Sequence, residues 1–193
     1  MIPDDVMRSI RDTYPEWDYS KRDWSRIERR FPHKQLIDQL ELIIRENCDV
    51  NMYIEIDRNY QHCYNIEIST TKQILTKHKR GISTAEIMKY LKSINHPLYE
   101  MDLQLSMIGA YATVLWVKTM VNQQNQIANE EFDSPPTKEC EVVQKCIENI
   151  LSIKKINVLS WEILKTPLIG MNGSPIGDKA TRTVYNCLFI QRR

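Results

Sequence analysis

The chain lacks an excess of charge of either sign. Lys and Arg number 26 against 25 Asp and Glu among 193 residues, a formal net charge of +1. A dedicated nucleic-acid binder carries a basic surplus or stripe, so no nucleic-acid partner is expected. Glycine is scarce, at 5 residues. Gly170, Gly173 and Gly177 fall within one segment, Thr166–Lys179, but that segment lacks the Gly-Lys-Ser/Thr ending of a phosphate loop. It reads as a connection between strands. The cysteines (Cys48, Cys63, Cys140, Cys146 and Cys187) are odd in number and without Cys-x-x-Cys spacing. No zinc site or disulfide framework is indicated, and the cysteines are expected to act as small buried hydrophobes. His33, His62, His78 and His96 form no metal-ligating pair, and His33 and His96 each flank a proline, which places them in loops. The most apolar stretch, Met101–Val121, contains Asp102, Gln104 and Lys118, so it is a poor membrane span. The N-terminal Met1-Ile2-Pro3-Asp4-Asp5 has neither the basic nor the apolar region of a signal peptide. These absences lead us to expect a reduced, cytoplasmic protein with no membrane partner, no cofactor, no metal and no catalytic residue.

What is present is ordinary globular composition, 42% hydrophobic and 26% charged, and a length suited to a single domain over 1–193. Residues 4–47 read as helical, with breaks near Pro15 and Pro32. Within 34–46, Leu36, Ile37, Leu40, Ile43 and Ile44 form an apolar stripe at helical spacing. Residues 71–94 suggest two short helices. Gly81 ends the first, and the capping-box pattern Ser83-Thr84-Ala85-Glu86 starts the second. Ile87, Tyr90, Leu91 and Ile94 would then face inward. In 101–128 the spacing of Leu103, Met107, Ala110, Val114, Val117 and Val121 favours one long buried helix. The β-prone Thr113–Val117 leaves a strand as the alternative. Asn129–Pro136 reads as an acidic, proline-stopped loop, and 137–152 as a helix with Val142, Val143, Cys146, Ile147 and Ile150 inside. Strands are expected near 156–165 and 181–190. The sum is an α+β protein: an antiparallel sheet of about four strands (50–58, 62–70, 156–165, 181–190) packed with several helices.

The clearest pattern lies at 50–70. Met52, Ile54 and Ile56 alternate with Tyr53, Glu55 and Asp57, and Tyr64, Ile66 and Ile68 alternate with Cys63, Asn65 and Glu67. Alternation with a period of two is a half-buried strand. For both apolar sets to share one face, parity must be kept across the hairpin. Ile56 then opposes Tyr64, Ile54 opposes Ile66 and Met52 opposes Ile68, leaving the loop Asn59-Tyr60-Gln61. On the outer face Glu55 meets Asn65, Tyr53 meets Glu67 and Asp57 meets Cys63. Tyr53, Glu55, Asp57 and Glu67 form one acidic-aromatic patch. A solvated face, or one covered by Arg26, Arg29 and Arg30, is the plain reading of that patch. A partner-binding surface, joined by Glu130, Glu131 and Asp133 of the acidic loop, is the functional one.

A divalent-metal hydrolase or nuclease using Glu55, Asp57 and Glu67 is the enzymatic alternative, since a metal held by carboxylates can activate water at a phosphate. Its missing part is a lysine. On a strand at 156–165, Glu162 and Lys165 would point to opposite faces. The basic run Lys72, Lys77, Lys79 and Arg80 reads as a solvated helix face. Tyr14, Trp17, Tyr19 and Trp24 crowd the N-terminal segment; they suit either core packing or an interface.

The chain also resembles, in size and style, the immunity proteins of bacterial polymorphic and contact-dependent growth-inhibition toxins. The resemblance rests on Asn51-Met52-Tyr53-Ile54-Glu55-Ile56, on Asn95-His96-Pro97-Leu98-Tyr99, on Leu159-Ser160-Trp161-Glu162-Ile163 and on Val184-Tyr185-Asn186-Cys187-Leu188-Phe189, together with Asn-, Ile- and Lys-rich usage. It implies a small cytoplasmic protein that binds one cognate toxin domain and blocks it by occlusion, with no catalytic residues to carry over.

Overall fold

Two segments with a period of two and matched parity build a hairpin here. The computed structural model describes residues 1–18, 21, 33–48, 50–55, 63–69, 83–171 and 182–189. β1 (Asn51–Glu55) and β2 (Cys63–Ser69) pair antiparallel. Met52 opposes Ile68, Tyr53 opposes Glu67, Ile54 opposes Ile66 and Glu55 opposes Asn65, as parity required. The expected placements of Ile56, Asp57 and the loop at 59–61 lie outside the described residues, as do those of Arg26, Arg29 and Arg30 and of the first short helix at 71–81.

The sheet continues through β3 (Leu98–Ser106), β4 (Tyr111–Val121) and β5 (Ile127–Phe132), each antiparallel to its predecessor, in the order β1-β2-β3-β4-β5. A two-residue strand, β6 (Asn157–Val158), runs parallel to β4 beside Tyr111 and Ala112. The α+β class holds, with more strands than the four expected. Three expectations are corrected. The long helix over 101–128 is β3, β4 and the start of β5. The strand expected at 156–165 is β6 followed by the short helix α5 (Trp161–Leu164), and the one at 181–190 is the helix α6 (Val184–Phe189). The first error has a physical cause. β4 carries apolar residues on both faces, and a strand covered on both sides shows no two-residue period. Asn125 sits at φ 61° in the β4–β5 turn, a left-handed position that asparagine tolerates.

One face of the sheet is the main core. Tyr64, Ile66, Ile68, Met101, Leu103, Leu105, Ala112, Val114 and Trp116 are buried there. They lie under α2 (His33–Asn47) and α4 (Lys138–Ile153). α2 contributes Ile37, Leu40 and Ile44, three of one stripe at helical spacing. α4 starts where Thr137 Oγ1 accepts from the Cys140 amide, an N-cap. Its inner residues are Cys140, Val143, Ile147, Ile150 and Leu151, while Val142, expected inside, is 69% exposed. His33 opens α2 instead of sitting in a loop. The cysteine expectation is corrected as well. Cys48 and Cys146 form a disulfide between the end of α2 and the middle of α4, whereas Cys63, Cys140 and Cys187 are buried thiols.

A second cluster joins the ends of the chain. α1 (Asp4–Thr13) inserts Val6 and Ile10, and Tyr14, expected as either core or interface, is fully buried and donates to the Cys187 carbonyl at 2.9 Å. Trp17 packs against the same cluster and donates to the Ile169 carbonyl at 3.2 Å; Tyr19 and Trp24 lie outside the described residues. α3 (Thr84–Ile94) forms the expected capping box, with Ser83 and Glu86 exchanging hydrogen bonds. It packs on the opposite sheet face, over Leu98, Val121 and Ile127.

Candidate contact surface

Cross-strand partners share a face, so the register of five strands sets the whole surface opposite the core. One row reads Tyr53, Glu67, Asp102, Leu115. The next on one side reads Glu55, Asn65, Gln104, Thr113. The next on the other reads Asn51, Ser69, Glu100, Val117, Glu131. Of the residues expected to form the patch, Tyr53, Glu55 and Glu67 therefore do fall on one face by register, with Tyr53 opposite Glu67. Asp57 lies outside the described residues.

The structure adds Glu100 and Asp102. A helix over 101–128 hides them, although Met101, Leu103 and Leu105 alternate with Glu100, Asp102 and Gln104 as cleanly as the hairpin residues do. Glu67 and Asp102 are directly opposite. Like charges so placed repel. Gln104 donates to Asp102 Oδ2 at 3.4 Å.

Among the described residues, two helices cover the ends of this face, and the polar residues between them are buried too: Asn65, Ser69, Gln104 and Thr113 are each 5% exposed or less. At one end α6 meets Ser106, whose hydroxyl donates to the Leu188 carbonyl at 3.0 Å, and Cys63, whose thiol donates to the Phe189 carbonyl at 3.2 Å. Burial, aided by the negative charge of Asp102, pushes the Cys63 thiol pKa far up, so it stays protonated. At the other end, α3 roofs a recess of roughly 370 Å³. Glu67, Glu100 and Asp102 line it from β2 and β3, Asn129 from β5, and Thr84 and Ile87 from α3.

The segment expected as an acidic loop is corrected: Asn129–Phe132 belongs to β5, and only Asp133 onward leaves the sheet. Its acids divide between faces. Glu131 joins the recess side in the row of Glu100, whereas Glu130 points to the core side and pairs with Lys118 at 3.0 Å. That pairing raises the Lys118 pKa. Asp133 pairs with Lys165 at 3.0 Å. Lys165 caps α5, so the opposite-face argument made for Glu162 and Lys165 on a strand does not apply. No protein-family model, curated protein or solved structure matches the chain.

Of the carboxylates on this face, Glu131 is exposed while Glu67, Glu100 and Asp102 are half-buried. Glu67 and Glu131 are separated by three strand spacings, about 14 Å at 4.7–4.9 Å each. Among the described residues no group of three His, Cys, Asp or Glu side chains is placed to hold a metal ion, and no helix is long and apolar enough to cross a membrane.

Proposed function

We infer that the chain is a non-enzymatic binding protein, and specifically an immunity protein that occludes a cognate toxin domain. One observation supports this above others. The fold carries carboxylates from three separate stretches of sequence, Glu67, then Glu100 and Asp102, then Glu131, to one face of one sheet. By register, Tyr53 and Glu55 extend that face. Complementary charge across an interface steers encounter and suppresses wrong partners. Because the net charge is only +1, the acid is local, and the partner must recognise this face in particular. Residues Glu130 and Asp133 serve it differently: each already holds a lysine of the chain, so they shape the margin.

An immunity protein must meet its toxin in the cytoplasm of the protected cell, and we assign this chain to that compartment. There the Cys48–Cys146 bridge would be held open by the reducing thiol pool. The test is neutralisation. The C-terminal domain of a large secreted protein encoded immediately upstream of this chain's gene would be expressed alone and with this chain. Growth arrest relieved by co-expression is the expected result. An upstream neighbour of another kind, or arrest that persists with the chain present, contradicts the reading.

A further inference from the structure

We propose that β5 is a docking edge, to which the partner adds an extended, basic segment as a further strand. This rests on the binding reading above and names how the contact is made. The Asn157 amide donates to the Ala110 carbonyl, the Leu159 amide to the Ala112 carbonyl and the Trp161 indole to the Val114 carbonyl. Even-numbered residues of β4 therefore present their main chain to the side where β5 and β6 lie. Trp116, Lys118 and Met120 follow the same parity, and their partners on β5 are Phe132, Glu130 and Ala128. These are the hydrogen-bonded pairs of the ladder. The amides and carbonyls of Ile127, Asn129 and Glu131 then point away from β4, and among the described residues β5 ends the sheet on that side.

Natural edge strands are commonly blunted by proline, lysine, a bulge or a cover. Ile127–Phe132 has neither proline nor lysine, pairs with β4 without a skipped residue, and exposes Asn129, Glu130 and Glu131. What it does carry is acid, and that selects the occupant. A second copy of the chain would bring the same Glu131 to the seam, Glu130 and Asp133 being already paired with Lys118 and Lys165. Like charges on neighbouring strands are destabilising, and opposite charges contribute. A basic strand is therefore favoured over a self-pair.

The surface continues past the end of β5. A groove of roughly 680 Å³ opens beside Asp133, with Glu148, Glu162 and Trp161 among its walls and Lys155 among its lining residues. Lys165 pairs with Asp133 and lies over the Trp161 ring, which leaves Glu148 and Glu162 as the groove's acids. A lysine or arginine at the end of the added strand reaches this groove. Main-chain bonds to Ile127, Asn129 and Glu131 would supply affinity, and the acidic groove would supply selectivity, the division of labour general to strand addition.

The test uses the full chain and a fluorescent peptide of alternating lysine and valine, followed by anisotropy. Asn129→Pro removes an outward amide that β4 does not use, a change that edge strands tolerate; Asn129→Ala is its control. The expected result is binding to wild type and to Asn129→Ala, with a loss of at least tenfold in Asn129→Pro. A peptide N-methylated on alternate residues should lose binding to wild type, which keeps the test informative if Asn129→Pro does not fold. The proposal is overturned if the peptide does not bind wild type, if N-methylation has no effect, if a glutamate-valine peptide binds equally well, or if sedimentation shows a dimer that Asn129→Pro abolishes. None of these results depends on a toxin. Neutralisation retained by a folded Asn129→Pro would sink the edge assignment and leave the immunity reading standing.

Discussion

At the scale of the residue, several side chains have single, checkable roles. Gly109 sits in the β3–β4 turn, and a Cβ there would come within 2.4 Å of the Tyr111 ring. Tyr111 is buried and its hydroxyl meets Ser9 at 3.1 Å and Asp5 at 3.3 Å, so the ring cannot swing aside without breaking those bonds. Gly109→Ala should destabilise the fold by about 1–3 kcal/mol, the usual cost of overpacking, read by urea unfolding. Cys187 offers a pH test. Burial raises its thiol from an ordinary value of 9.0 to about 12. The unfolded chain then loses this proton at lower pH than the folded one does. Stability from this group is complete below pH 9, falls as pH rises, and is gone once the folded thiol ionises near 12. Unfolding free energy measured from pH 8 to 11 should decline, and Cys187→Ala should flatten the decline.

At the scale of the element, the disulfide carries the sharpest expectation. It closes a sequence separation of 98 residues and joins α2 to α4 above the core. Cross-links of this kind contribute typically 2–4 kcal/mol, so Cys146→Ser should lower the melting temperature of protein purified under oxidising conditions. Thiol titration of that protein, denatured without reductant, should find the thiols of Cys63, Cys140 and Cys187 alone. Legibility in the sequence also divides by element. β1 and β2 were readable because each buries one face only, and parity then fixed their register. α3 and α4 were readable from a capping box and a helical stripe. β4 was not, because Leu115 and Val117 face α3's side while Val114 and Trp116 face the core, and an apolar run covered on both sides imitates a buried helix. No local signal distinguished α5 or α6 from strands, since each is short and gains its place from packing among distant residues such as Tyr14 and Leu168. Nor could spacing foresee the pairing of Cys48 with Cys146, which depends on two helices meeting across the sheet.

At the scale of the molecule, the sheet is the organising body. Its core face is closed by α2 and α4; its other face carries α3 at one end and α6 at the other, and the polar residues between them, Asn65, Gln104 and Thr113, are buried as well. The hairpin's alternation points to Tyr53, Glu55 and Glu67, and the acidic stretch after it to Glu131, though as part of a loop. Glu100 and Asp102, and the place of Glu131 in the same sheet, depend on 98–132 being a meander. If this face receives a basic partner, charge reversal there should weaken binding and leave folding intact. Glu55→Lys and Glu131→Lys each sit at the margins of the face, away from the opposed Glu67 and Asp102. Each should slow association with the toxin domain, with the loss growing as salt is lowered.

The most direct measurement is the affinity of that toxin domain for the wild-type chain and for the Glu55→Lys, Glu131→Lys double variant, with circular dichroism as the check on fold. The account predicts a folded double variant whose affinity is lower by at least tenfold and whose protection of growing cells is lost. Wild-type affinity and full protection in the folded double variant would contradict it.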